Sequence, residues 1–357
     1  MPASEGRRQG ARGLGPFALV LVLGLGLRLA RLTFQPLWWD EGYSVYFAIL
    51  PLAEMVRQTA VDIHPPLYYA LLHGWTALLG TGPVALRTFS AFAGLAAVPL
   101  AWALGQRFGG RQAGWAAALL AAASPFLVFY SQEVRMYALV TVLGMGSALC
   151  HWELLRRLEG NRPASRWLWT GYVLLTTAAL YTQYYAALLL LAQVLYTAAW
   201  AWRAPGRGGA VRRVLAAQGV AALLFLPWVA YAGPKLWVYV QYKVGRDADL
   251  PLGLPMYLAR HLAAMGSGHW EGELSRWWWL GWVPVALAAW GLWGEVRRAE
   301  RGPLAYLGLW LGVPLLGGFC INLAAPFAPV RGERLLLLAS PAFWLLLAWS
   351  LGRAWQR

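Results

Sequence analysis

An all-α polytopic membrane protein is the fold class this sequence predicts, and three observations carry that prediction. Hydrophobic residues fill 59% of the 357 positions and charged residues only 13%, where a soluble domain carries about a quarter charged. Apolar runs approaching the ~20 residues that cross a bilayer recur from residue 14 to residue 351. Most arginines gather in short loops between those runs, with 23 tryptophans to furnish interfacial belts, as the positive-inside rule expects. The same distribution explains the net charge of +15 without nucleic acid, since no basic helix, helix-turn-helix or RNA-binding motif is present. One integral membrane domain over residues 1–357 follows.

In chain order, Arg7, Arg8 and Arg12 precede an apolar stretch from Leu14 to Leu32. It is long enough to span and carries no small-residue cleavage motif, so it reads as an uncleaved first helix. The expected spans are 14–33, 84–106, 113–130, 136–155, 167–182, 184–202, 214–232, 277–294, 303–321 and 335–351, about ten in all. Residues 67–80, "LYYALLHGWTALLG", are apolar but too short to span. Placing them as an interfacial helix in the first outer loop puts every basic turn on the side of the N-terminus: Arg107 and Arg111, Arg156 to Arg166, Arg203 to Arg213, Arg297 to Arg301, and the tail. Both termini are then cytoplasmic in a multi-pass cell-membrane protein. Two long outer segments remain, 34–83 and 233–276, and segments of that length build sites or lids. Lys235, Lys243, His261 and His269 in the second are candidates to close over an acceptor. Cys150 and Cys320 have no metal-ligand spacing and are expected as free thiols.

Four constellations carry ionisable groups to the outer side. "WWDEGYSVY" places Asp40 and Glu41 beside two tryptophans. Asp40 is expected either as a helix cap or as a base for an acceptor hydroxyl, roles that are compatible. "DIHPPLYY" sets Asp62 and His64 just before a helix that Pro65 and Pro66 permit. Read blandly it is a rigid turn. Read functionally it offers Asp62 and His64 as ligands of a divalent ion, and Asp40, Asp62 and His64 are the candidates if such a cation is bound. "SQEVRMY" carries Glu133 and Arg135, which do not face each other on one helix and so call for separate partners. "VRGERLLLL" carries Arg331 and Arg334, and Arg87 opens the second span. These outer arginines either snorkel or hold an anionic headgroup. No phosphate-binding glycine loop or nucleotide-sugar signature is present. Transfer of a group from a lipid phosphate to a hydroxyl fits this set, and a lipid-linked sugar flippase is the alternative.

The ordered pieces "WWDEGYS", "DIHPPLYYALL", "LRTFSAFAG", "YSQEVRMYAL", "YTQYYAALLLLAQ" and "RGERLLLLASP" resemble the membrane glycosyltransferases of GT-C fold. The likeness is to the family 39, RgtA/B/C/D-like group that includes protein O-mannosyltransferases and lipid A aminoarabinose transferases. It implies a GT-C type bundle and inverting transfer from a polyprenyl-phosphate sugar to a lipid, glycan or protein acceptor at the extracytoplasmic face. The resemblance makes Asp40 the catalytic residue with Glu41 beside it. It makes Arg87, Arg135, Arg331 and Arg334 candidate ligands of the donor phosphate, and Asp62, His64, Tyr68 and Glu133 the cleft wall. No cofactor is required, and a divalent cation is left open.

Overall fold

The computed structural model describes residues 3–203, 206–246, 251–269, 277, 279–295, 301–325 and 332–354. Among these residues the chain is helical, with no strand. The order is α1 (Ala3–Leu29), α2 (Trp39–Ile49), α3 (Leu52–Thr59), α4 (Leu67–Leu79), α5 (Pro83–Leu95), α6 (Ala97–Ala123), α7 (Pro125–Ser131), α8 (Tyr137–Glu159), α9 (Arg166–Thr182) and α10 (Ala186–Arg203). It continues with α11 (Gly208–Arg246), α12 (Leu254–Ser267), α13 (Trp282–Glu295), α14 (Arg301–Ala324), a 3-10 segment (Gly332–Ala339) and α15 (Ser340–Ala354).

Six described stretches are long and apolar enough to cross a membrane by length and composition: Pro83–Ala123, Tyr137–Glu159, Ala186–Arg203, Gly208–Tyr242, Gly302–Ala324 and Gly332–Gly352. Two shorter apolar helices, Gly15–Leu29 and Trp279–Gly291, join them. The first of the six is two segments. Gly110 has φ 81 and ψ −173 inside α6, a conformation that glycine adopts without strain, and the helix reverses there. A Cβ on Gly105 would lie 2.7 Å from the Ala113 carbonyl oxygen and 2.9 Å from the Gly114 Cα. The two arms therefore meet backbone to backbone, as small residues allow in membrane helices. The reversal sits between Arg107 and Arg111, where the sequence expects a basic turn. The 13 residues Leu67–Leu79 form a separate short helix, also as expected.

The last helix lies at the centre. The stretch Gly332–Gly352 is the most buried of the six, and α15 makes its largest contact with α6 and further contacts with α13 and α14. An all-apolar helix belongs inside such a bundle. The second outer segment differs from expectation. The span expected to end near residue 232 continues through Pro234 to Arg246 as one helix, and α12 fills residues 254–267. The apolar face of this extension, Leu236, Val240 and Val244, earns it a packing partner across a cavity. Asp247 and Asp249 lie outside the described residues, as do Glu271 and Glu273.

Polar side chains lock the first loop to the bundle. Arg28, fully buried, donates to the carbonyls of Ala121 (2.9 Å) and Ala122 (3.0 Å) in the last turn of α6. Gln132 donates to the carbonyls of Leu27, Arg28 and Ala30 at the end of α1. Each side chain satisfies helix-end carbonyls that have no intrahelical partner, and together they set where the chain leaves α1 for the site.

Candidate active site

The helix α2 begins after Trp38 and presents two faces. Glu41, Ser44, Phe47 and Ala48 are buried, while Trp39, Tyr43 and Tyr46 are exposed. Asp40 and Glu41 both fall in its first turn, where the helix dipole favours carboxylates. The N-terminal contact belongs to Glu41. Its Oε2 accepts from the Trp38 backbone N–H at 3.3 Å, as the third residue of a capping box does. The expectation that Asp40 caps this helix is corrected: Asp40 stands one residue too early to reach back to Trp38 and turns to Arg334 instead.

Glu41 is completely buried and paired with Arg87, which is 2% exposed. Arg87 Nε donates to Oε1 at 2.9 Å and Nη2 to Oε2 at 2.7 Å, a bidentate fork. Val134 N–H donates to Oε1 at 2.9 Å. The remaining Arg87 donors go to the carbonyls of Leu32, Gln35 (3.0 Å) and Pro36 (3.2 Å). Arg87 thus spends every N–H on protein acceptors and staples the segment between α1 and α2. This arrangement leaves it no donor for a phosphate, contrary to the role expected from its position.

Arg135 and Arg334 are placed differently. Arg334 Nη2 donates to Asp40 Oδ2 at 2.8 Å. Its guanidinium lies 5.1 Å from the Trp38 ring centroid and 5.7 Å from that of Tyr137, within cation–π range. Arg135 lies 5.8 Å from the same Tyr137 ring, so one aromatic ring ties both cations to the mouth of α8. Arg135 Nη1 donates to the Asp40 carbonyl at 3.0 Å and to Ser44 Oγ at 3.4 Å, and Nη2 faces His64 Nε2 at 3.0 Å. The Nε of each arginine is buried without a hydrogen-bond partner among the described residues. Glu133 is buried on the same turn as Arg135, whose contacts run to α2 and His64. Arg331 lies outside the described residues.

The motif "DIHPP" is joined to this group. His64 Nδ1 lies 2.9 Å from Asp62 Oδ2. A guanidinium only donates, so Arg135 fixes His64 Nε2 as the acceptor and leaves the proton on Nδ1, shared with Asp62. Burial and the nearby Arg135 charge both push the His64 pKa down. Burial works against ionisation of Asp62, but the hydrogen bond from His64, the Ile63 backbone N–H and the Arg135 charge outweigh it and hold that carboxyl below its usual range. Tyr68 is buried in α4, its hydroxyl 3.0 Å from Ser90 Oγ. Ser90 in turn donates to the Arg135 carbonyl at 3.3 Å.

A cavity of about 380 Å³ opens beside this cluster, with His64 in its wall. Leu188, Leu236, Val240 and Leu336 make it largely apolar, and Arg260, His261 and Glu333 make one end polar. Arg260 Nε donates to Glu333 Oε1 at 2.5 Å. These partners are 73 residues apart, and no spacing in the sequence announces them. Of the expected lid residues, His261 reaches this wall. Lys235 lies over the Tyr231 ring at 3.5 Å, His269 Nε2 is 2.7 Å from the Tyr130 hydroxyl, and the Lys243 side chain lies outside the described residues. No group of three His, Cys, Asp or Glu side chains converges on a metal position among the described residues. Both ring nitrogens of His64 are engaged, by Asp62 and Arg135, which leaves Asp40, Asp62 and His64 no common ligand geometry here.

Solved structures share this architecture. ArnT from Cupriavidus metallidurans in the apo state is 18% identical with TM-score 0.59, over 98% of this chain and 62% of that one. The same protein bound to undecaprenyl phosphate gives 16% and 0.57, over 96% and 62%. The oligosaccharyltransferase AglB from Archaeoglobus fulgidus, in complex with an inhibitory peptide and a dolichol-phosphate, is 12% identical with TM-score 0.63, over 96% and 50%. The chain has the GT-C fold of membrane glycosyltransferases. This GT-C chain spans between half and two thirds of the length of those proteins. The family described as dolichyl-phosphate-mannose-protein mannosyltransferase matches residues 63–231, from His64 and its neighbours into α11. No curated protein sequence matches.

Proposed function

We propose that the chain is an inverting glycosyltransferase that moves a sugar from a polyprenyl-phosphate donor to a hydroxyl acceptor on the extracytoplasmic face. The observation that carries this reading is Asp40. Its side chain is one-quarter exposed, and Arg334 holds the carboxylate through one oxygen. Its backbone is fixed by an arginine that also touches the wall of a cavity suited to an isoprenoid. Nothing among the described residues donates to Oδ1.

In this mechanism Asp40 takes the proton as the acceptor oxygen attacks the anomeric carbon. The bond from that carbon to the phosphate oxygen breaks with its electron pair on phosphate. Arg135 and Arg334 hold the charge that develops on the leaving phosphate. Glu41 and Arg87 position the helix that carries Asp40. The apolar wall takes the carrier chain, and Arg260 with Glu333 faces the polar part of the donor. That ArnT was solved with undecaprenyl phosphate and AglB with a dolichol-phosphate supports a lipid phosphate as donor.

The test is transfer in membranes by Asp40→Asn, inserted and extracted like wild type. Loss of roughly 100-fold or more in turnover is expected for removal of a general base. Turnover near wild type would remove Asp40 from the reaction. Cleavage of the donor without net lipid movement separates this reading from a flippase.

A further inference from the structure

Arg334 stands between two anions. Among the described residues its hydrogen-bond acceptor is the Asp40 carboxylate, at 2.8 Å, with the Arg334 side chain 8% exposed and the Asp40 side chain 24%. Its Nε is buried without a hydrogen-bond partner among the described residues. Arg135, by contrast, is held by neutral acceptors, a backbone carbonyl, a hydroxyl and a neutral imidazole. An arginine on neutral acceptors can add a phosphate without giving up a charge partner. Arg334 cannot serve Asp40 and a phosphate with the same donors.

We infer that Arg334 is a transferable counter-ion, which neutralises Asp40 in the empty site and moves to the donor phosphate, so that donor binding frees the base. The inference rests on the polyprenyl-phosphate reading above. It makes binding ordered, since an acceptor that arrives first meets a carboxylate already occupied by a cation. It also ties the exchange to the reaction. The acceptor proton passes to Asp40, which becomes neutral, while the leaving phosphate gains the electron pair and becomes the stronger partner for a guanidinium fork. Arg334 is therefore drawn further toward phosphate as the bond breaks, an interaction stronger in the transition state than in the ground state. It returns to Asp40 when that proton leaves.

Competition for one cation is a coupling between two sites, and coupling is reciprocal. Removing the Asp40 charge must therefore tighten phosphate binding, even as it abolishes transfer. The measurement is titration of the purified full chain in detergent with undecaprenyl phosphate, read by native mass spectrometry. Asp40→Asn is expected to bind roughly five- to tenfold tighter than wild type. Asp40→Glu keeps the charge and is expected to bind like wild type. Asp62→Asn removes a nearby carboxylate that makes no contact with Arg334, and serves as the control for general charge removal. In an Arg334→Gln background the Asp40→Asn gain is expected to vanish. The inference is overturned if Asp40→Asn binds no tighter than wild type, if its gain survives without Arg334, or if Asp62→Asn matches it. A wild-type chain that does not bind undecaprenyl phosphate would sink the donor reading itself, and this inference with it.

Discussion

Asp40 and Glu41 are neighbours in sequence and opposites in environment. Glu41 is sealed in the core with four hydrogen bonds from Arg87, Val134 and Trp38, while the Asp40 side chain is one-quarter exposed and pairs with Arg334. A buried ion pair broken from one side leaves an uncompensated charge and typically costs about 3–5 kcal/mol. Arg87→Ala is therefore expected to destabilise the protein by about 3 kcal/mol or more, measured by unfolding in detergent or bicelles. A shift under ~1 kcal/mol would mean that Glu41 finds other donors. His64 supplies a pH dependence. Its folded pKa is lowered, by burial first and Arg135 second, so the unfolded chain binds the extra proton. The stability it provides is complete above about pH 6.5 and is lost as the pH falls from there toward the folded value. Asp62, also lowered, keeps its contribution until the pH falls below the ordinary carboxylate range. Between about pH 7.5 and 5.5 the unfolding midpoint should drop in wild type and drop less in His64→Gln. Parallel profiles would refute the neutral His64.

At the scale of elements, glycines separate close approach from mere tolerance. Gly105 faces the backbone of the returning arm, with a Cβ clash of 2.7 Å against a carbonyl, whereas Gly74 in α4 has nothing within 4 Å. Gly105→Ala should spread the hairpin and lower stability by about 1–3 kcal/mol, as overpacking does. Gly74→Ala should raise stability by about 0.5–1 kcal/mol, because helix-interior glycine carries excess chain entropy. Equal effects from the two would contradict the hairpin. Most elements were legible in the sequence, including the basic turn near Gly110, the short helix after Pro66 and the small number of acids. The exceptions have a common physical source. The extension of α11 past Pro234 falls in what the sequence presents as a long outer loop rich in aromatics, and only the cavity it walls shows why Leu236, Val240 and Val244 stay helical. A proline inside a membrane helix is tolerated when neighbouring groups satisfy the freed carbonyl.

For the whole molecule, sidedness is the property that tests the architecture. The helical stretch from residue 83 to the reversal at Gly110, made of α5 and the first arm of α6, spans about 40 Å at 1.5 Å per residue, enough to separate the first loop from the basic turn by a bilayer. With Cys150 and Cys320 replaced, Phe34→Cys should react with an impermeant maleimide from outside intact cells. Arg111→Cys should react only after permeabilisation. The reverse pattern would put Asp40 on the cytoplasmic side and overturn the proposed orientation.

Composition and charge position by themselves determined that this chain is a helical membrane protein, because the bilayer penalises unpaired charge and unbonded backbone wherever they occur along the chain. The ordered motifs singled out Asp40, Arg135 and Arg334 in the same way. Only the tertiary structure decided which of two adjacent acids is spent on folding, that Arg87 is a staple, and that Arg260 meets Glu333. Those assignments depend on hydrogen bonds between residues tens to hundreds of positions apart, and a guanidinium in sequence carries no mark of which anion it will face. "WWDEGYS" could announce two carboxylates at the water boundary. Folding paired one with Arg87 in the core and the other with Arg334 at its edge.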